Sequence, residues 1–187
     1  MSSPTRQLKI VRYGDPVLRK PAQKVGRITA EVRQLVEQMV ETMRAAGGVG
    51  LAANQIGVSQ RLAVIEVEGE VRVLVDPEIV RTVGSELCDE GCLSLPRLYG
   101  LVERPIRAVV KARDLSGKRI TLEGEGLLAR ALCHELDHLN GRLFIDNADE
   151  STLHWLLGHD DDGRPITQPT TLDDALRVFI AAGKAHG

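Results

Sequence analysis

The sequence predicts an α+β fold with antiparallel sheets, and three observations carry that reading. Apolar residues recur at helical spacing between Thr29 and Met43, short β-prone runs separated by turn signals fill the middle, and a second helical pattern follows at about Leu127–Asn140. Strands gathered between an early helix and a late one give this class. At 187 residues the chain fits one domain, 1–187, against about 150 residues per domain. The composition, 43% hydrophobic and 27% charged, is that of a globular chain rather than a disordered one.

In chain order, Thr29 is placed to cap a helix in which Val32, Leu35, Val36, Met39, Val40 and Met43 share one face, with Gly47 and Gly48 as the stop. Strands are predicted at Leu62–Val67, at Val71–Val75 ended by Asp76-Pro77, and at Ala108–Arg113. The last returns through Leu115-Ser116-Gly117 into Arg119–Glu123. The second helix ends at Asn140, with Gly141 as a left-handed cap. Asp160–Pro169 reads as a polar connector, and Leu172, Ala175, Leu176, Phe179 and Ile180 as one face of a closing helix.

A net charge of −2 and a pI near 6.2 give no reason to expect nucleic acid or an anionic membrane as partner, and no nucleic-acid motif is present. The longest uncharged stretch, Ala45–Gln60, is glycine-rich and too polar to span a bilayer. Met1–Gln7 is polar and shows no leader pattern. With three cysteines, Cys88, Cys92 and Cys133, full pairing within the chain is impossible. A reducing cytoplasm is expected, with cysteine as a thiolate ligand or a small core residue.

The strongest chemical signal is His134-Glu135-Leu136-Asp137-His138. At about 100° per residue the two imidazoles lie roughly 40° apart on one helix face, with Glu135 flanking them. Leu127 and Ala131 share that arc, so the face points inward. Such a pair can bind one divalent metal, with the glutamate in reach of its water. A third ligand must come from elsewhere. Position 144 is Phe, which excludes the metzincin pattern, and Glu150 follows His138 too closely to serve. Cys92, in Glu90-Gly91-Cys92-Leu93-Ser94, is the better candidate. Cys88 and Cys133 read as small hydrophobes. The rival is a closed Cys2His2 zinc site of Cys88, Cys92, His134 and His138, which would make the chain a non-catalytic, metal-stabilised peptide-binding module. His159 beside Asp160–Asp162 reads as a solvated loop rather than a second metal site.

The segment Gly48-Val49-Gly50-Leu51-Ala52-Ala53-Asn54-Gln55 leaves room for another backbone alongside, and Gln55 offers an amide donor. Together with Glu90–Ser94 and His134–His138, in this order, it resembles the signature motifs of the peptide deformylases, from about Leu8 to Asp146. The resemblance implies antiparallel sheets around a central metal-binding helix, and hydrolytic removal of the formyl group from formyl-methionyl nascent polypeptides at the ribosome in a bacterial-type cytoplasm. By that resemblance Cys92, His134 and His138 are metal ligands, and Glu135 is the catalytic acid/base. Gln55 and the Leu93 N–H become oxyanion donors. Gly48, Val49, Gly50 and Leu51 form the edge that pairs with the substrate backbone. Leu127, Ala131 and the stem of Arg130 cover the methionine. One divalent metal per chain is implied, iron(II) favoured and zinc(II) also suited to these ligands. The catalytic core is then about 8–146, with 147–187 as a C-terminal extension. Glu90 is expected to pair with Arg104 and orient the loop around Cys92, the alternative being two solvated charges. Cys133 stands where the family often has glutamine.

Overall fold

The computed structural model describes residues 7–184; Met1–Arg6, part of the segment on which the leader reading rests, lie outside them. Why the middle of the chain forms a covered sheet is plain from strand β2, Leu62–Val67. Its first residues form an unbroken apolar run because both faces are covered: Leu62 and Val64 meet helix α1 (Ala30–Ala45), while Ile65 meets helix α2 (Leu127–Leu139). The five-stranded sheet containing β2 runs in the order β1 (Gly50–Ala52), β2, β3 (Glu70–Val83), β6 (Arg107–Arg113), β7 (Arg119–Glu125), and every neighbour is antiparallel. A second antiparallel sheet has the order β4 (Glu86–Cys92), β5 (Leu95–Arg104), β8 (His154–His159), β9 (Pro165–Pro169). Helix α3, Leu172–Lys184, closes the chain and seats Ala175 and Phe179 against Leu95, Leu98, Val102 and Phe144.

Antiparallel sheets with an N-terminal, a central and a C-terminal helix are thus present as expected, and four local expectations are corrected. Thr29 occupies the cap position of α1 without a side-chain cap bond. Strand β3 does not end at Asp76-Pro77. It continues to Val83 through a register shift between Val75 and Glu78, which accommodates the missing proline N–H. Asp76 adopts φ +53°, and its carboxylate accepts from Val25 N at 2.7 Å and pairs with Arg113 at 2.5 Å. Asp160–Pro169 is no plain connector, because Pro165–Pro169 returns as β9 against β8. Strands β4 and β5 are additions to the predicted set. Strand β5 buries Leu98, Gly100, Val102 and Arg104 at a strict period of two, a pattern that Pro96 and Gly100 conceal in the sequence. At the end of α2, Gly141 takes φ +76° as predicted, and a Cβ there would sit 2.9 Å from the Arg19 backbone.

Candidate metal centre and cleft

Helix α2 lies on the five-stranded sheet through Leu132 and Leu136, which turns His134 and His138 toward the second sheet and sets Glu135 beside Gly50 of β1. Strand β4 approaches from that side and, after a bulge between Gly91 and Cys92, delivers the Cys92 thiol. Cys92 Sγ lies 3.1 Å from His138 Nε2, which is 3.2 Å from His134 Nε2, and the three ligand atoms fall within 4.8 Å of one another. Cys88 is not among them. Four residues of extended chain carry it about 13 Å along β4, where its thiol contacts the Glu86 carbonyl instead. The closed Cys2His2 arrangement is therefore not formed.

The surroundings suit a cation. His134 Nδ1 hydrogen-bonds Glu90, whose other contacts are to Arg104, from Nε at 2.8 Å and Nη2 at 2.9 Å. Burial pushes the Glu90 carboxyl up, but hydrogen bonds from His134 and Arg104 outweigh it and hold the pKa at about 2. An ionised Glu90 makes Nδ1 the donor and turns Nε2 toward the cluster as the ligand atom. Burial disfavours charge on both imidazoles. At His134 the bonds to Cys92 and Glu90 prevail and raise its pKa, whereas His138 is held low by burial and by His134. Two ring nitrogens and a sulfur thus converge, with the Glu90 carboxylate behind His134, and they fit one divalent metal.

Arg104 also bonds Asp137 at 2.7 Å, so the expected Glu90–Arg104 contact is part of a three-residue, largely buried network. Gln55 is 1% exposed. Its Oε1 accepts from Ala52 N at 2.9 Å, which aims Nε2 at Cys92 Sγ, 3.6 Å away, and Ser94 Oγ, 3.4 Å away. Glu135 is buried, and desolvation lifts its pKa to about 7. Its Oε2 has no hydrogen-bond partner among the described residues. A Cβ on Gly50 would lie 2.8 Å from Glu135 Cδ, so the glycine makes room for the carboxylate.

These groups face a cleft of about 530 Å³. Gly48, Val49 and Gly50 form one wall, Leu93 closes against Gly48, and Leu127, Arg130 and Ala131 form the wall contributed by α2. The Leu51 side chain is fully buried against the α1 core, because strand alternation turns it away from the cleft, which leaves its backbone for the edge expected to pair with substrate. Cys133 packs with Ala108 and Ala129, and burial pushes its thiol up to about 11, which suits a small core residue. Sequence reasoning missed Asn54, whose Nδ2 donates to the His138 carbonyl at 2.5 Å, as well as Ser94 and Asp137. Each sits inside a motif already singled out, and a polar residue beside a site residue was the available signal.

Over residues 7–154 the chain matches the polypeptide deformylase family. It belongs to that family. A peptide deformylase of Thermoanaerobacter pseudethanolicus is 53% identical over 137 residues, covering 73% of this chain and 86% of that protein. Among solved structures, a peptide deformylase from Synechococcus elongatus in complex with actinonin is 45% identical with a TM-score of 0.75, covering 80% and 83% of the two chains. One from Legionella pneumophila is 39% identical with a TM-score of 0.78, covering 96% of each chain. The deformylase match runs past Asp146 to His154, so it includes the turn leading into β8. The enzyme is a hydrolase of protein biosynthesis that removes the N-terminal formyl group from nascent peptides, and the non-catalytic alternative is not favoured. The family is metal-dependent, and among the described residues the only cluster able to hold an ion is Cys92, His134 and His138. No helix among the described residues is long and apolar enough to cross a membrane.

Proposed function

We propose that Cys92, His134 and His138 hold one divalent metal, iron(II) in preference to zinc(II), and that Glu135, Gln55 and the Leu93 N–H act on the formyl group beside it. The supporting observation is the convergence of those three ligand atoms within 4.8 Å, next to a buried glutamate with an unpartnered oxygen. When bound, the metal supplies Lewis-acid polarisation of the formyl oxygen and of water. The substrate backbone adds to the open edge of β1, which pairs with β2 on one side only. Leu127, Ala131 and the Arg130 stem cover the first side chain. Glu135, with its pKa near 7, takes a proton from water at Oε2 and returns it to the departing amine. Gln55 Nε2 and the Leu93 N–H stabilise the oxyanion. Glu90 and Arg104 fix the His134 ring.

The whole chain acts as one domain, a core with a C-terminal hairpin and helix, on chains emerging from the ribosome in the cytoplasm. Formate release from a formyl-methionyl peptide, measured together with metal content, tests this reading. Activity should track one metal per chain, vanish on chelation and return with iron(II). Cys92→Ser should lose or alter the metal, whereas Cys88→Ser and Cys133→Ser should keep it. Loss in Cys88→Ser as complete as in Cys92→Ser would overturn the ligand set.

A further inference from the structure

The cleft has a downstream exit that the chemistry beside the ligand cluster does not use. Glu135 stands against Gly50, so the reacting end of a peptide on the β1 edge sits at Gly50. Beyond Gly50 the chain turns inward, and Ala52, Ala53, Asn54 and Gln55 are buried. The peptide therefore leaves past Gly48, toward the exposed Ala46 and Gly47 that follow α1. At about 3.4 Å per residue, roughly its third residue passes Gly48 and the fourth clears the edge. There Ile10, Arg12, Ala46, Pro96 and Arg97 line both the cleft and a second groove, of about 1430 Å³, which continues beside Gln7–Arg19. Cleft and groove form one path.

Charge changes sign along this path. Asp89, Glu90 and Glu135 line the cleft, whereas Lys9, Arg12 and Arg97 line the groove, where Asp15 is the only carboxylate among the described residues. Asp15 is engaged with Val17 N at 2.9 Å, and Arg19 is neutralised by Asp146 at 2.5 Å. Arg97 donates to the Leu156 and Leu157 carbonyls at 2.8 and 2.6 Å, neutral acceptors that fix its guanidinium and leave its charge. The side chains of Lys9 and Arg12 make no hydrogen bond or ion pair among the described residues. In a chain of net charge −2, three unneutralised cations at the exit are a local feature rather than a reflection of composition.

We propose that this groove takes the downstream part of the substrate, from about its fourth residue on, and favours acidic side chains there. This rests on the reading that the substrate backbone adds to the β1 edge with its formyl end beside Glu135. Continuity decides the occupant, because a longer formyl peptide must emerge where Lys9, Arg12 and Arg97 stand. Exposed ion pairs are individually weak, so two or three together change affinity about fivefold rather than by orders of magnitude, and salt screens them. A tail remote from the reacting bond binds equally in the ground and transition states, so it lowers KM and leaves kcat unchanged.

Formate release by the metal-loaded full chain decides the matter, using amidated formyl-Met-Ala-Ser alone and the same tripeptide extended by a glutamate, serine or lysine tail. At low salt the glutamate tail should give a KM at least about fivefold below that of the lysine tail, with equal kcat, and the serine tail should fall between them. The difference should vanish near 1 M salt, where screening acts over about 3 Å. In the double variant Lys9→Glu/Arg12→Glu the order of the glutamate and lysine tails should reverse. Ratios taken within one enzyme cancel any loss of folded protein. Equal KM for the three tails in the wild-type chain, or a preference for the glutamate tail that survives charge reversal, would overturn the proposal. Binding of a single-stranded RNA oligonucleotide that depends on Lys9 and Arg12, without any effect of the tails, would give the groove to RNA and overturn it as well. Failure to cleave the tripeptide itself would instead overturn the reading on which the proposal rests.

Discussion

Around the cleft the buried positions are polar, with Asn54, Gln55, Ser94, Arg104, Glu135 and His138 all withdrawn from solvent. The C-terminal hairpin and α3 are made differently: Ala175 and Phe179 are their buried residues, and no polar side chain is buried there among the described residues. Burying an unpaired charge costs several kcal/mol, whereas burying an apolar side chain returns about 1.5–3 kcal/mol. A region that accepts the first cost holds groups for chemistry; a region built only from the second stabilises what it covers. Substitutions in the first should therefore change rate or metal binding, and those in the second should change stability alone.

The largest expected effect is at Glu135. Glu135→Gln keeps size and shape and removes proton transfer, so kcat for deformylation should fall at least about a hundredfold, toward the 3–5 kcal/mol such transfers contribute. Metal content and peptide affinity should change far less. Near-full activity would make this buried carboxylate merely structural. Loss of the metal would mean that Glu135 supports the ligands.

Gly50 comes next and separates two roles. If it only clears the edge for the peptide, a side chain there raises KM. The structure places its missing Cβ 2.8 Å from Glu135 Cδ, so Gly50→Ala should displace the carboxylate and lower kcat by about ten- to a hundredfold, with metal content unchanged. A change confined to KM would return Gly50 to the edge alone.

The same contrast explains what the sequence made legible. His134–His138, Cys92, Gln55 and Gly50 could be found because chemistry restricts residue type at fixed spacing. Helix α1, strand β2 and the α2 cap at Gly141 could be found because periodicity and turn chemistry are local. Strand β4 was hidden: in Glu86–Cys92 only Cys88 and Cys92 are buried, so no apolar alternation announces it. Strand β9 was hidden for a related reason, since Pro165–Pro169 is exposed throughout and is a strand only because β8 pairs with it. Ser94 and Asp137 belong to contacts between segments distant in the chain, which spacing cannot reveal.

Arg104 tests whether the polar network serves the metal or only the fold. Arg104→Ala leaves Glu90 and Asp137 without their shared partner, at a cost of about 3–5 kcal/mol for a broken buried pair. With His134 less firmly oriented, metal affinity should fall about ten- to a hundredfold, while the rate at saturating metal falls less than about tenfold. Unchanged metal affinity would confine the network to stability and blur the line between the two regions.

The smallest effect on rate should come from Phe179, and that is its value. Its ring lies 5.5 Å from that of Trp155 and 6.4 Å from that of Tyr13, holding α3 on a core that also includes Cys92, and it lines no wall of the cleft. Phe179→Ala should cost about 3 kcal/mol, the low end for such a truncation, because a terminal helix can detach locally before the rest unfolds. For a chain of this size that corresponds to a fall of roughly 6–12 °C in Tm. At temperatures where the variant is folded, kcat and metal content should stay within about twofold of the wild type, since Phe179 neither lines the cleft nor bonds the Glu90–Arg104–Asp137 network. A tenfold loss of kcat in folded Phe179→Ala would show that α3 transmits its packing to the cleft, and the division between a chemical region and a purely supporting one would have to be given up.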